Sequence, residues 1–342
     1  MNTGWPEWAA RFHALTTVKT HLPTERTCMP AIAVTYSDPA RTKRHQVFAV
    51  FMFLVAIVTA TTAVAQSRAK KEKPKLRTLS LTTKDGIKLR AFYFPSDKEK
   101  NAIPVMLIHE WGGQASPYGK LVRELNKAGC AVLVPDFRGH GGSSTYTDVR
   151  GNNKEFNIAQ MSRRDVENIV AFDLEETKSF LKDENNAGKL NLNALVVIGV
   201  REGCVLASHW AQRDWRWPSI GNIKQGQDVK ALIFVSPDKQ VKGLAIDPTL
   251  NDVNLIGLPI MIVAGNDSPE ASEAKRVAKR IEAKKRVMGR GETTGFELVM
   301  PKTKLSGATL VNESSTVIPK ISDFITTHVS SGDDGHPWVE RD

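Results

Sequence analysis

Ala194-Leu195-Val196-Val197-Ile198-Gly199-Val200-Arg201-Glu202-Gly203-Cys204-Val205-Leu206-Ala207 is an apolar run interrupted by one short, glycine-flanked polar pair. The aliphatic residues over 194–198 predict a buried strand, and the residues over 202–212 predict a helix. Glycine two places before and two places after Arg201 lets the backbone turn sharply between them. Arg201 therefore stands on a strand-to-helix corner. Its guanidinium stays protonated at any physiological pH, with five donors and no lone pair to attack an electrophile.

Outward from that corner the chain alternates short β-branched runs with helix-length amphipathic stretches. Strands are expected over 79–83 and 89–94, joined as a hairpin at Asp85-Gly86, and over 105–109, 131–135, 194–198, 231–235, 259–263 and 296–300. Helices are expected over 118–127, 162–182, 202–212, 270–285 and 317–328. This alternation predicts an α/β fold: a mostly parallel twisted sheet of about eight strands, with helices on both faces and no lid domain. Trp215 and Trp217 alternate in an extended reading of their segment, which would turn both to one side.

The chain has 342 residues, 41% hydrophobic and 25% charged, which suits one large folded body with an appendage. Residues 1–45 are an N-terminal extension ending on the basic Arg41, Lys43 and Arg44. An apolar stretch, 46–65, closes on Ala63-Val64-Ala65, the small-x-small pattern of a signal-peptidase site. Export to a periplasmic or extracellular space is expected. The rival expectation is membrane anchoring through 46–65, because the stretch approaches the roughly 20 residues that span a bilayer. A basic linker, 66–76, precedes a body at 77–330, and a tail at 331–342 is expected to be mobile.

The formal charge of +10 is concentrated ahead of the body: Arg68, Lys70, Lys71, Lys73, Lys75 and Arg77 crowd one short run against Glu72. A nearly neutral body argues against nucleic acid as a partner, and the run suits a solvated linker or an anionic membrane surface. Cys130 and Cys204 lie in apolar contexts without paired or metal spacing, and read as small core residues. His109, Glu110, Asp136 and His140 fall at the ends of neighbouring strands but match no metal motif, so neither metal nor cofactor is expected.

His109-Glu110-Trp111-Gly112-Gly113, Asp136-Phe137-Arg138-Gly139-His140-Gly141 and Gly199-Val200-Arg201-Glu202-Gly203 each follow a strand, in that order. This order resembles the α/β-hydrolase superfamily, closest to its capless, dienelactone-hydrolase-like members, over about residues 77–330. The resemblance implies an α/β-hydrolase fold with a nucleophile at the corner, an acid after the seventh strand, and a histidine after the eighth. This chain departs from the pattern twice. Arg201 holds the nucleophile position, and the loop over 301–314, PKTKLSGATLVNES, has no histidine. Asp267 matches the acid, with Asp238 a weaker candidate. The implied oxyanion cradle combines an amide from the 109–113 turn with the amide of Glu202.

Base and nucleophile act as a unit, so losing both is expected to abolish triad catalysis. The expectation is a non-catalytic, hydrolase-like protein that binds or scaffolds. The alternative is an active carboxylic-ester or lactone hydrolase using Glu202, His109 or His140 with Asp267. Candidate binding residues are His109, Glu110, Trp111, Gly112, Arg201 and Glu202, and the candidate partner is an anionic small molecule or a protein. An ion pair from Arg201 to Asp267 or to Glu110 is the expected way of satisfying the cation. Cys204, on the sheet-facing side of its helix, is not expected to replace the nucleophile.

Overall fold

The computed structural model describes residues 75–341 apart from 149, 222–223 and 334; the extension 1–45, the apolar stretch 46–65 and most of the linker lie outside the described residues. Eight strands form one sheet: β1 (Arg77–Thr82), β2 (Lys88–Phe94), β3 (Ile103–Ile108), β4 (Cys130–Pro135), β5 (Leu195–Val200), β6 (Val229–Val235), β7 (Ile260–Val263) and β8 (Phe296–Val299). Their spatial order is β1-β2-β4-β3-β5-β6-β7-β8. β2 runs antiparallel to both β1 and β4, and every other neighbouring pair is parallel. This is the sheet that the resemblance implies.

The central strands are apolar on both sides because both sides are covered. Side chains alternate across the sheet. Val105, Leu107, Val196, Ile198, Ile233 and Val235 enter one core, packed with α1 (Gly119–Lys127) and α7 (Val317–His328). Met106, Ile108, Val197, Leu232, Phe234 and Ile262 enter the other, packed with α3 (Leu174–Asn186), α4 (Gly203–Arg216) and α5 (Ala271–Met288). Among the described residues no lid domain is inserted, and no helix is long and apolar enough to cross a membrane.

The helix expected over 162–182 is split. α2 (Arg163–Asn168) passes through one π-turn, Ile169–Asp173, before α3 begins. The wider turn brings Asp173 fully into the core, where its carboxylate accepts the Arg138 backbone N–H at 2.8 Å and the guanidinium at 2.6 and 2.9 Å. Sequence periodicity cannot register one extra residue in a turn. It also misses the short α6 (Gly307–Glu313) and the small hairpin Thr145–Thr147 with Asn153–Glu155.

Two further expectations are corrected. The tail is docked rather than mobile: Trp338 Nε1 donates to the Asn185 carbonyl at 3.2 Å, Asn191 holds the His336 carbonyl, and Arg341 pairs with Asp228. Buried donors and acceptors that complete one another explain this, and no local pattern announces them. Trp215 and Trp217 do not share a side. Trp215 belongs to α4 and donates to the Val229 carbonyl at 3.0 Å, whereas Trp217 follows the end of the helix and stays exposed.

Candidate functional site

The corner between β5 and α4 has the expected strained shape. Arg201 adopts φ +50°, a left-handed backbone that side chains with a Cβ rarely take. The flanking glycines are there for room. A Cβ on Gly199 would lie 2.6 Å from the Cys204 Cα, and one on Gly203 would lie 2.4 Å from the Ile108 carbonyl oxygen. Gly203→Ala is therefore expected to destabilise the fold by about 3 kcal/mol, as overpacking against backbone does, read from the urea midpoint. An unchanged midpoint would mean that the corner has slack.

Carboxylates surround the Arg201 guanidinium. Asp238 lies 3.2 Å from Nε, Glu270 lies 3.3 Å from Nη1, and Glu202 lies 4.0 Å from Nε. Partial burial works against the cation, but Asp238, Glu202 and Glu270 outweigh it and push the guanidinium pKa up. Burial pushes the Asp238 carboxyl up, Glu202 adds to that, and Arg201 opposes it.

Neither expected partner of Arg201 is its partner here. Asp267 is exposed on its loop, where it takes a 3.2 Å hydrogen bond from Asn266 Nδ2. The Glu110 carboxylate accepts the Tyr118 hydroxyl, and burial raises its pKa. The acid that replaces Asp267 is the buried Glu270, three residues further along the same loop. An acid in an Asn-Asp-Ser-Pro-Glu turn carries no sequence mark of which carboxylate turns inward.

The stretch after β8, where the resemblance implies a histidine, passes directly beneath Arg201. Gly307 opens α6 at φ +52° and donates its N–H to the Ser236 hydroxyl at 3.0 Å; a Cβ there would lie 3.0 Å from the Arg201 Cδ. The aliphatic stem of Arg201 thus lies against a residue without a side chain. Ser236, itself at φ +49°, was not singled out by sequence.

The first half of the implied cradle is taken. The Trp111 backbone N–H donates to Glu202 Oε2 at 3.2 Å, so a carboxylate of the chain holds the amide that a substrate oxygen would need. Gly112, at φ +76°, and Gly113, whose N–H donates to the Glu110 carbonyl at 3.0 Å, close a tight turn, which accounts for both glycines.

His109 and His140 are buried in an aromatic cluster with Phe137 and Trp111. Each ring places Nδ1 on a carbonyl, Glu110 at 2.8 Å and Arg138 at 2.9 Å. A carbonyl only accepts, so Nδ1 carries the proton and each Nε2 keeps a bare lone pair, buried with no hydrogen-bond partner among the described residues. Burial brings both pKa values down to about 4. The remaining described histidines are engaged elsewhere: His209 with the Ala245 carbonyl, His328 with Glu297, and His336 in the docked tail.

Cys204 and Cys130 are buried, as expected of core residues, and burial pushes the Cys204 thiol up, away from the reactive thiolate. Among the described residues no group of three or more potential ligands is placed to hold a metal ion.

No family model matches the chain, and no curated protein sequence matches it. Solved structures do. A highly thermostable carboxyl esterase from Bacillus coagulans aligns at TM-score 0.52 and 12% identity, over 74% of this chain and 98% of its own. An esterase from Pyrococcus furiosus aligns at TM-score 0.51 and 16% identity, over 75% and 93%. A dienelactone hydrolase from Anabaena variabilis aligns at TM-score 0.50 and 13% identity, over 75% and 100%. Identities this low carry the fold alone.

Proposed function

We propose that this chain, which has the α/β-hydrolase fold, is a non-catalytic member of that architecture that works by binding or scaffolding. The observation that carries the reading is the Arg201 cluster: a cation at φ +50° where a nucleophile would stand, matched by Asp238 and Glu270, with Glu202 on the Trp111 amide. Nucleophile, base and one cradle amide are each replaced or occupied. Restoring any one leaves the other two absent, and triad members contribute little singly. The three carboxylates make the surroundings of Arg201 acidic in sum, which speaks against a small anion binding there.

Export, or tethering through residues 46–65, belongs to the same proposal and rests on the apolar stretch ending at Ala63-Val64-Ala65. The hydrolase alternative draws on the esterases and the dienelactone hydrolase that share the fold. It needs a free base at the corner, but Glu202 holds the Trp111 amide, His109 and His140 are committed to carbonyls in a buried cluster, and Asp267 is exposed on its loop.

The test is direct. Purified protein is expected to give no turnover of short p-nitrophenyl esters above a heat-denatured control, and no labelling by a fluorophosphonate. Stoichiometric labelling that one substitution abolishes would overturn the reading.

A further inference from the structure

Away from the corner, a cleft of about 330 Å³ opens between the π-turn, α3, the end of α4 and the docked tail. Its floor is a buried ionic network. Asp228 is shared by Lys178 at 3.0 Å, Lys224 at 3.1 Å and both Nη atoms of Arg341 at 2.6 and 2.8 Å. Asp214 takes Lys178 at 2.5 Å and spends its second oxygen on the amides of Asp228 and Val229. Among the described residues, three cations therefore meet two carboxylates; both carboxylates are fully buried, Arg341 is 3% exposed, and only Lys224 is partly open to solvent. A buried excess of positive charge is costly unless an anion completes it.

Three more observations point the same way. Arg341 lines the cleft, and its buried Nε has no hydrogen-bond partner among the described residues. Lys84 and Lys182 add positive charge to the lining, where Glu176 opposes them and Arg213 is already paired with Glu175 at 3.2 Å. Burial lowers the Lys224 ammonium, Asp228 opposes that and Arg341 adds to it; outside the lining, burial and then Lys224 hold Lys230 down at about 8.

We infer that this cleft is a binding site for a phosphate group, held by Lys224, Arg341 and the lysines of the lining. A guanidinium and several ammoniums converging on one volume suit a tetrahedral dianion with several acceptor oxygens. The volume exceeds that of the free ion and leaves room for an organic substituent. Trp217, 42% exposed, lines the cleft and offers that substituent an aromatic face. The site is separate from the Arg201 corner and does not depend on whether that corner is catalytic.

The experiment titrates inorganic phosphate and phenyl phosphate in parallel against the full chain at constant ionic strength, following Tm and phosphorus NMR line width. Both probes are expected to raise Tm with the logarithm of concentration once above Kd. Lys224→Gln and Lys84→Gln are each expected to weaken binding about ten-fold, the loss of one charge-assisted hydrogen bond. Lys127→Gln, on an exposed helix pair with Glu124, is expected to change nothing. Tighter binding of phenyl phosphate, cancelled by Trp217→Ala, identifies a phosphate ester as the ligand, and equal binding identifies the free ion. If neither probe binds, or if Lys224→Gln and Lys84→Gln bind as the parent does, the inference is overturned. Esterase activity appearing in the parent would sink the non-catalytic reading and leave this one standing.

Discussion

Lowering the pH from 7 to 4 is expected to cost this fold on the order of 3 kcal/mol for each of His109 and His140. The unfolded imidazole titrates near 6.5, and burial depresses both folded values to about 4. A depressed folded pKa means that the unfolded chain binds the proton first. The contribution is therefore complete above about pH 6.5 and is lost as pH falls through about 4. Asp136, 4.0 Å from His109 Nε2, softens the loss by favouring the charged ring, whereas each imidazolium disfavours the other. At about 2–4 °C per kcal/mol for a domain of this size, Tm should fall by more than 10 °C across the window. Carboxylates elsewhere titrate too, so the assignment needs variants. His109→Asn and His140→Asn keep a donor near the Nδ1 position and remove the titration, and each should flatten the pH dependence of Tm. Parallel curves for parent and variants would show that the rings are not the cause.

The fold was legible because its signals are cumulative. Each strand of the sheet has its own apolar run, and the Gly199 to Gly203 spacing marks the corner that the backbone does form. The candidate site was legible at the level of the chain and opaque at the level of contact. Position 201 was identifiable as a corner cation, and the stretch after β8 as lacking an imidazole. Which acids answer Arg201 was not, since Asp238, Asp267 and Glu270 all lie in loops after neighbouring strands and differ only in which way a turn faces. The same limit hid Glu202 on the Trp111 amide and the tail on Asp228, both long-range pairings between residues with no local pattern.

Those hidden pairings change how the most family-like segment is understood. In Asp136-Phe137-Arg138-Gly139-His140-Gly141, every polar side chain is occupied with holding the structure around it: Asp136 and His140 hold backbone, and Arg138 holds the Asp85 and Asp173 carboxylates. Asp136 accepts the Ala115 and Gly142 amides, each at 2.8 Å, and the Arg90 guanidinium. Gly141 is required because a Cβ would lie 2.4 Å from the Asp136 carboxylate. The segment fastens the end of β4 to the loops around it, and that task is the same with or without chemistry at the corner.

Arg138→Ala tests that view with the second large effect. Arg138 is clamped between Asp173, fully buried, and Asp85, and its removal strands the Asp173 carboxylate in the core. Breaking one side of a buried pair in this way costs about 3–5 kcal/mol, or roughly 6–20 °C in Tm for a domain of this size. The pH dependence identifies the mechanism. Burial already raises the Asp173 pKa to about 6 while Arg138 opposes it, so deleting Arg138 drives it higher. A carboxyl whose folded pKa lies above its unfolded value near 3.9 loses stability as pH rises between the two. The variant's deficit should thus be larger at pH 8 than at pH 5. Adding Asp173→Asn removes the stranded charge and should recover part of the loss, so the two substitutions together cost less than their sum. Strict additivity, with a deficit independent of pH, would mean that Arg138 contributes through packing alone.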